Sequence, residues 1–162
     1  AIDKGFTEPD PREDLNGNDV GRKLLILARE LDLQNEFEEI QIQNLIPEAL
    51  REGTAADFLK RLSELDGIYQ NIKDAQGPNE VLRYIGELSG DLQQDKGKLE
   101  VKLISVPANS ALGSLKGSDS IFEIYTESYG EQPIVIQGAG AGASVTARGV
   151  FFFFLRLSEK KL

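Results

Sequence analysis

Two side chains define the chemistry open to this sequence. Asp19 and Lys23 stand four residues apart, so on a helix they are neighbours. Lys23 also lies three residues after Val20 and four before Leu27, at the border of an apolar stripe. A lysine there is partly withdrawn from water, which loosens its proton and suits it to acid–base work. The same spacing equally fits an exposed ion pair worth about 0.3–0.5 kcal/mol, with the lysine stem lying over the core. Upstream, Glu8, Asp10, Glu13 and Asp14 join Asp19 to put five carboxylates within fifteen residues. Pro9 and Pro11 stiffen this stretch by biasing the residues before them to extended backbone. It reads either as a site-bearing loop or as an ordinary solvated acidic turn.

Composition narrows the chemistry further. The chain has 162 residues, 40% hydrophobic and 28% charged, enough for one soluble domain with a core. No apolar run approaches the roughly 20 residues of a spanning helix, so no membrane partner is expected. Eighteen basic against 27 acidic residues give a net charge of −9, the wrong sign for gripping a phosphate backbone, so no nucleic acid is expected either. There is no Cys and no His, hence no disulfide, no thiolate or imidazole metal ligand and no histidine base, and no metal site is expected. Proton transfer must fall to Lys, Asp, Glu or Tyr. The sequence contains no Met and opens on Ala1-Ile2-Asp3-Lys4 without a targeting pattern, which reads as a piece of a longer, cytoplasmic polypeptide.

The elements that must hold these residues follow from periodicity and punctuation. Asn16-Gly17 marks a turn, after which Val20, Leu24, Leu27 and Leu31 predict a helix, capped by Asn16 or Asn18 and ending near Asp32. Residues 40–45 alternate with period two and predict a half-buried strand. Thr54 predicts a helix N-cap, followed by Phe58, Leu62 and Leu65, then a second helical piece with Tyr69 and Ile72 that Gly77-Pro78 stops. Four more strands are expected over residues 81–88, 99–106, 121–126 and 133–137, and a closing helix over 143–155. The expected fold class is α+β, a mostly antiparallel or mixed sheet of about five strands with helices packed on one face. Such a sheet leaves a face and an edge to cover, so a homodimer through the sheet is expected.

The segment from Ala1 through Gly5-Phe6, Thr7-Glu8-Pro9-Asp10-Pro11-Arg12, Asp14-Leu15, Gly17 and Asp19-Val20-Gly21-Arg22-Lys23 resembles the signature of homoserine dehydrogenases. Lys23-Leu24-Leu25-Ile26-Leu27-Ala28-Arg29-Glu30 and Val81-Leu82-Arg83-Tyr84-Ile85-Gly86 are similar to the forms fused behind an aspartokinase. So is Gly138-Ala139-Gly140-Ala141-Gly142-Ala143-Ser144-Val145-Thr146-Ala147. The likeness is weakest over residues 35–79 and 91–120.

The resemblance implies an oxidoreductase that interconverts L-homoserine and L-aspartate 4-semialdehyde with NAD or NADP, in threonine and methionine biosynthesis. It implies Lys23 as the acid–base residue, Glu8, Asp19 and Asp14 as substrate-binding carboxylates, and Gly5 and Gly142 as backbone beside the nucleotide. It divides the chain into a substrate-binding and dimerisation domain at 1–142 and a helix at 143–162 that returns to a nucleotide-binding domain. That domain lies outside this sequence, so the chain is expected to be inactive alone and to need it in cis. Phe151 to Phe154 depart from the family pattern of an aromatic, a small residue, an Asp and an aliphatic. The alternative is a non-catalytic dimerisation or amino-acid-binding module, whose acidic loop is only structural.

Overall fold

The computed structural model describes residues 2–5, 7–91, 93–140 and 142–159. Ala1 and Phe6 of the signature, Ala141 of the glycine-rich segment and residues 160–162 of the expected closing helix lie outside them. The chain forms two compact units, Ala1–Pro107 and Ala108–Leu162.

In the first unit the elements run α1 (Arg12–Leu15), α2 (Asn18–Glu30), β1 (Gln41–Ile42), α3 (Ala55–Lys60), α4 (Glu64–Asp74), β2 (Glu80–Ser89) and β3 (Lys98–Pro107). β2 and β3 pair antiparallel along their whole length, and β1 lies parallel on the other edge of β3, giving the order β1-β3-β2. Alternation along β3 sorts the two faces. Leu99 and Val101 are buried and meet Leu24, Leu25 and Ala28 of α2, with Leu33 and Ile40 completing the cluster. On the opposite face Lys102 bridges Glu87 and Glu100, and Lys98 also reaches Glu100, so charge covers the side that α2 does not. A second cluster of Ile46, Leu50, Phe58 and Leu65, joined by Leu15 and Tyr69, seats α3 and α4.

Several expectations hold and several shift. Helix α2 ends two residues before Asp32, whose φ of 62° breaks it. Its buried stripe is Gly21, Leu24, Leu25 and Ala28, whereas Leu27 and Leu31 are 41% and 49% exposed, so the apolar face is turned from the one expected. Thr54 does cap α3, its hydroxyl accepting from the Asp57 amide at 3.2 Å. Leu62 instead falls in the turn between α3 and α4. The strand expected over 40–45 pairs only at Gln41 and Ile42. Beyond them the Asn44 side chain accepts from the Ile46 amide at 2.8 Å, and this local turn takes the backbone off the sheet.

The second unit holds β4 (Asp119–Ile124) and β5 (Ile134–Ala139), an antiparallel pair, and α5 (Ala143–Glu159). None of its described large apolar side chains is buried, Phe122, Ile136 and Phe151 to Phe154 among them. The α+β class and the five strands are as expected. The strands divide into a three-stranded and a two-stranded sheet, because periodicity locates a strand without naming the edge it pairs with.

Candidate functional site

The charged candidate residues sit on the first thirty residues of the chain, in two pairs either side of a glycine. Before the glycine, the acidic stretch is a hydrogen-bonded loop whose Glu8, Glu13 and Asp14 remain exposed to solvent. Asp14 on α1 accepts from the Glu8 amide at 3.0 Å, folding the loop back on itself and leaving the Glu8 side chain exposed. Arg12 locks the same loop from below. Its guanidinium takes both oxygens of Asp10, at 3.0 Å and 2.6 Å, and donates to the Arg51 and Gly53 carbonyls at 2.9 Å each. It also lies 5.8 Å from the Phe58 ring centre. Hydrogen bonding to Arg12 holds the Asp10 carboxyl below the ordinary carboxylate range.

After the glycine, α2 presents Asp19 and Lys23 to solvent. Lys23 Nζ is 2.8 Å from Asp19 Oδ2, with side chains 71% and 63% exposed. The expected withdrawal of Lys23 from water is therefore absent in this chain, since the rotated stripe turns its turn of α2 outward. The pair itself forms as the four-residue spacing requires. Asn16 Oδ1 accepts from the Asn18 amide at 2.8 Å and so tends the start of α2, while Gly17 is the capping residue.

Gly17 joins the two pairs. It is buried with φ 84°, and a Cβ there would run into the Tyr84 hydroxyl and stand 2.7 Å from Ile42 Cγ2. Tyr84 donates to the Gln43 carbonyl at 2.7 Å, and Leu45 N donates to Leu15 O at 3.0 Å, so the 43–45 segment is bound to α1 and to β2 beside the joint.

The glycines expected beside a nucleotide, Gly5 and Gly142, fall in separate units. Each has positive φ, 65° and 122°, and nothing within 4 Å of a would-be Cβ, which suits backbone that a flat ligand approaches. Gly140 differs, because a side chain there would collide with Ser120, and its amide donates to Ser118 O at 2.9 Å. That member of the glycine run is structural. Among the described residues no group of His, Cys, Asp or Glu is placed to hold a metal ion.

The family model described as homoserine dehydrogenase matches residues 1–152. The chain belongs to the homoserine dehydrogenase family. It is 44% identical over 157 residues to the chloroplastic bifunctional aspartokinase/homoserine dehydrogenase 1 of Zea mays, covering 96% of this chain and 17% of that protein. It is 44% identical over 164 residues to the homoserine dehydrogenase of Paracoccidioides brasiliensis (strain Pb18), covering 99% of this chain and 43% of that protein. A crystal structure from Candida auris, described as a protein of unknown function, superposes with a TM-score of 0.79 at 40% identity over 97% of this chain and 43% of that one. The chain thus spans less than half the length of these relatives.

Of the residues expected at the site, Asp19 and Lys23 meet side chain to side chain, and Asp14 meets the backbone amide of Glu8, whose own side chain stays exposed. Sequence reasoning missed the bonds of Arg12 to the Arg51 and Gly53 carbonyls and of Tyr84 to the Gln43 carbonyl. Arg12 carried one signal, a lone cation among acids. Tyr84 carried none, since its partner is a backbone carbonyl.

Proposed function

We propose that this chain supplies the homoserine-binding and proton-transfer side of a homoserine dehydrogenase interconverting L-homoserine and L-aspartate 4-semialdehyde, a step toward threonine and methionine. The observation that carries the reading is the Lys23–Asp19 pair, an exposed ammonium oriented by a carboxylate on the helix that the Glu8 loop leads into. NAD or NADP would supply the hydride acceptor for the alcohol carbon, and Gly5 and Gly142 are each proposed as open backbone beside it. In reduction the Lys23 ammonium gives a proton to the carbonyl oxygen as that carbon receives hydride. In oxidation the neutral amine takes the hydroxyl proton. Asp19 keeps the amine aimed and neutralises its charge. Glu8, its side chain exposed while Asp14 fixes its backbone, offers the anion that a substrate ammonium needs.

The same reading assigns residues 1–142 to substrate binding and dimerisation and 143–162 to contact with a nucleotide-binding domain in cis, without which the chain is inactive. The homodimer surface is the β4–β5 pair, supported by its exposed Phe122, Ile124, Val135 and Ile136, since a lone two-stranded sheet is marginal in water. The proposed location is the cytoplasm.

Steady-state kinetics on the complete gene product test the assignment. Lys23→Ala should lower kcat by about 10²–10⁴ while KM for homoserine changes little. Glu8→Ala should instead raise that KM by about tenfold or more, the effect of a lost charge-assisted bond. Unchanged turnover in Lys23→Ala removes the lysine from the chemistry. Homoserine binding without turnover in the unsubstituted complete gene product would favour the amino-acid-binding module.

A further inference from the structure

The two pairs of site residues belong to different elements, so the angle between those elements decides whether they can act on one molecule. Asp14 is on α1 and Glu8 is tied to it, while Asp19 and Lys23 are on α2. Only Asn16 and Gly17 separate the helices, and Gly17 is the left-handed residue at which the chain turns. A two-residue joint with a glycine in it is not stiff by itself. Something outside the joint must hold it.

That something is assembled from the 43–45 segment and β2. Gln43 is fixed to β3 twice, its amide donating to Val101 O at 2.8 Å and its side-chain oxygen accepting from the Leu103 amide at 2.8 Å. Leu45 is fixed to α1 through Leu15 O at 3.0 Å, and its own carbonyl accepts from the Tyr69 hydroxyl at 2.6 Å. Across this anchored segment Tyr84 of β2 bonds the Gln43 carbonyl at 2.7 Å and presses its hydroxyl end against the space that any side chain at position 17 would need. Register explains how it gets there. Tyr84 stands opposite Leu103 and two residues before Gly86, on the face of the sheet where α2 packs, and Gly86 lets Val20 approach.

We propose that Tyr84 is a positioning residue for proton transfer: its hydroxyl, bonded to Gln43 and seated against Gly17, sets the angle between α1 and α2 and with it the place of Lys23 relative to Glu8. The inference rests on the assignment of Lys23 and Glu8 made above. In this role Tyr84 acts through Lys23 by holding the joint, its hydroxyl being engaged by Gln43 and Gly17.

The test is a double-mutant cycle on the complete gene product with Tyr84→Phe and Lys23→Ala, each variant checked by thermal melting. Tyr84→Phe keeps the ring and removes the hydroxyl, and should lower kcat about tenfold, the scale of a small misplacement of a reacting group. In the Lys23→Ala background the same change should lower kcat by less than about twofold, because the group being positioned is gone. Additive losses overturn the proposal and leave the Lys23 assignment standing, as does an unchanged kcat in Tyr84→Phe alone. A Lys23→Ala enzyme with normal turnover overturns both. Amide exchange supplies a readout independent of turnover: Tyr84→Phe should speed exchange over residues 15–23 by about tenfold and leave the Leu99–Val101 region unchanged. Uniform acceleration across the first unit means a merely structural tyrosine and overturns the proposal.

Discussion

At the scale of the residue, Gly17 and Gly67 make opposite demands although both are helix-associated glycines. Gly17 is buried at φ 84°, with Tyr84 and Ile42 where a side chain would go. An L-residue in that conformation costs about 1–2 kcal/mol, and forcing a methyl into a filled space adds about 1–3 kcal/mol. Gly17→Ala should therefore destabilise the protein by roughly 2–5 kcal/mol, a large part of the about 5–15 kcal/mol that holds a domain together. Gly67 lies inside α4 with nothing within 4 Å of a would-be Cβ. There the methyl meets no neighbour and the helix loses its most flexible residue, so Gly67→Ala should add about 0.5–1 kcal/mol. Urea unfolding of the two variants beside the parent reads both signs. A neutral Gly17→Ala would mean that the seat beneath the joint is loose.

At the scale of the element, Arg12 joins the acidic loop to the second apolar cluster. Its partners are Asp10 in the loop and two carbonyls 39 and 41 residues away, beside the turn that leads into α3. A planar fork can serve these acceptors at once, and an ammonium cannot. Arg12→Lys should keep the charge yet raise amide exchange over residues 8–14 by about tenfold, with the α2–sheet cluster unaffected. Equal protection in both proteins would show that Asp14 alone orders the loop. This element also marks where the sequence stops being readable. Thr54, Asp32 and Gly77 announced their helix boundaries because caps and breakers act locally. The pairing of Asp19 with Lys23 was legible for the same reason. Arg12 was legible only toward Asp10, since its other partners are backbone oxygens distant in sequence, and backbone atoms leave no trace in residue type. The orientation of α2 was misread where Leu27 and Leu31 extended an apolar period that the sheet does not use. Strand β1 was overextended because Asn44 looks like any polar strand position until its side chain closes a turn.

At the scale of the whole molecule, every buried apolar side chain among the described residues lies in the first unit, so global unfolding reports on that unit and its charges. Those charges fix a pH window. Asp10 is held below its ordinary 3.8 by Arg12, and Glu39, Glu64 and Glu100 below 4.5 by Lys96, Arg61 and Lys98 respectively. Each therefore contributes stability above its ordinary value and loses it as pH falls through the lower value in the folded chain, because the unfolded chain binds the proton first. The alkaline side has the reverse sign. Burial raises the Tyr69 and Tyr84 phenols above 10.0, and hydrogen bonding to Glu87 raises Lys102 above 10.5. Their contribution is complete below those ordinary values and is lost as pH climbs through the raised ones. With no histidine in the sequence, no side chain has an ordinary titration between the two limbs. The urea midpoint should be flat from about pH 5 to about pH 9 and fall on either side. Tyr84→Phe should shallow the alkaline limb without moving the acid one, since only a phenol is removed. A midpoint that drifts across the flat region would place a titrating group in the core that neither the composition nor the first unit contains.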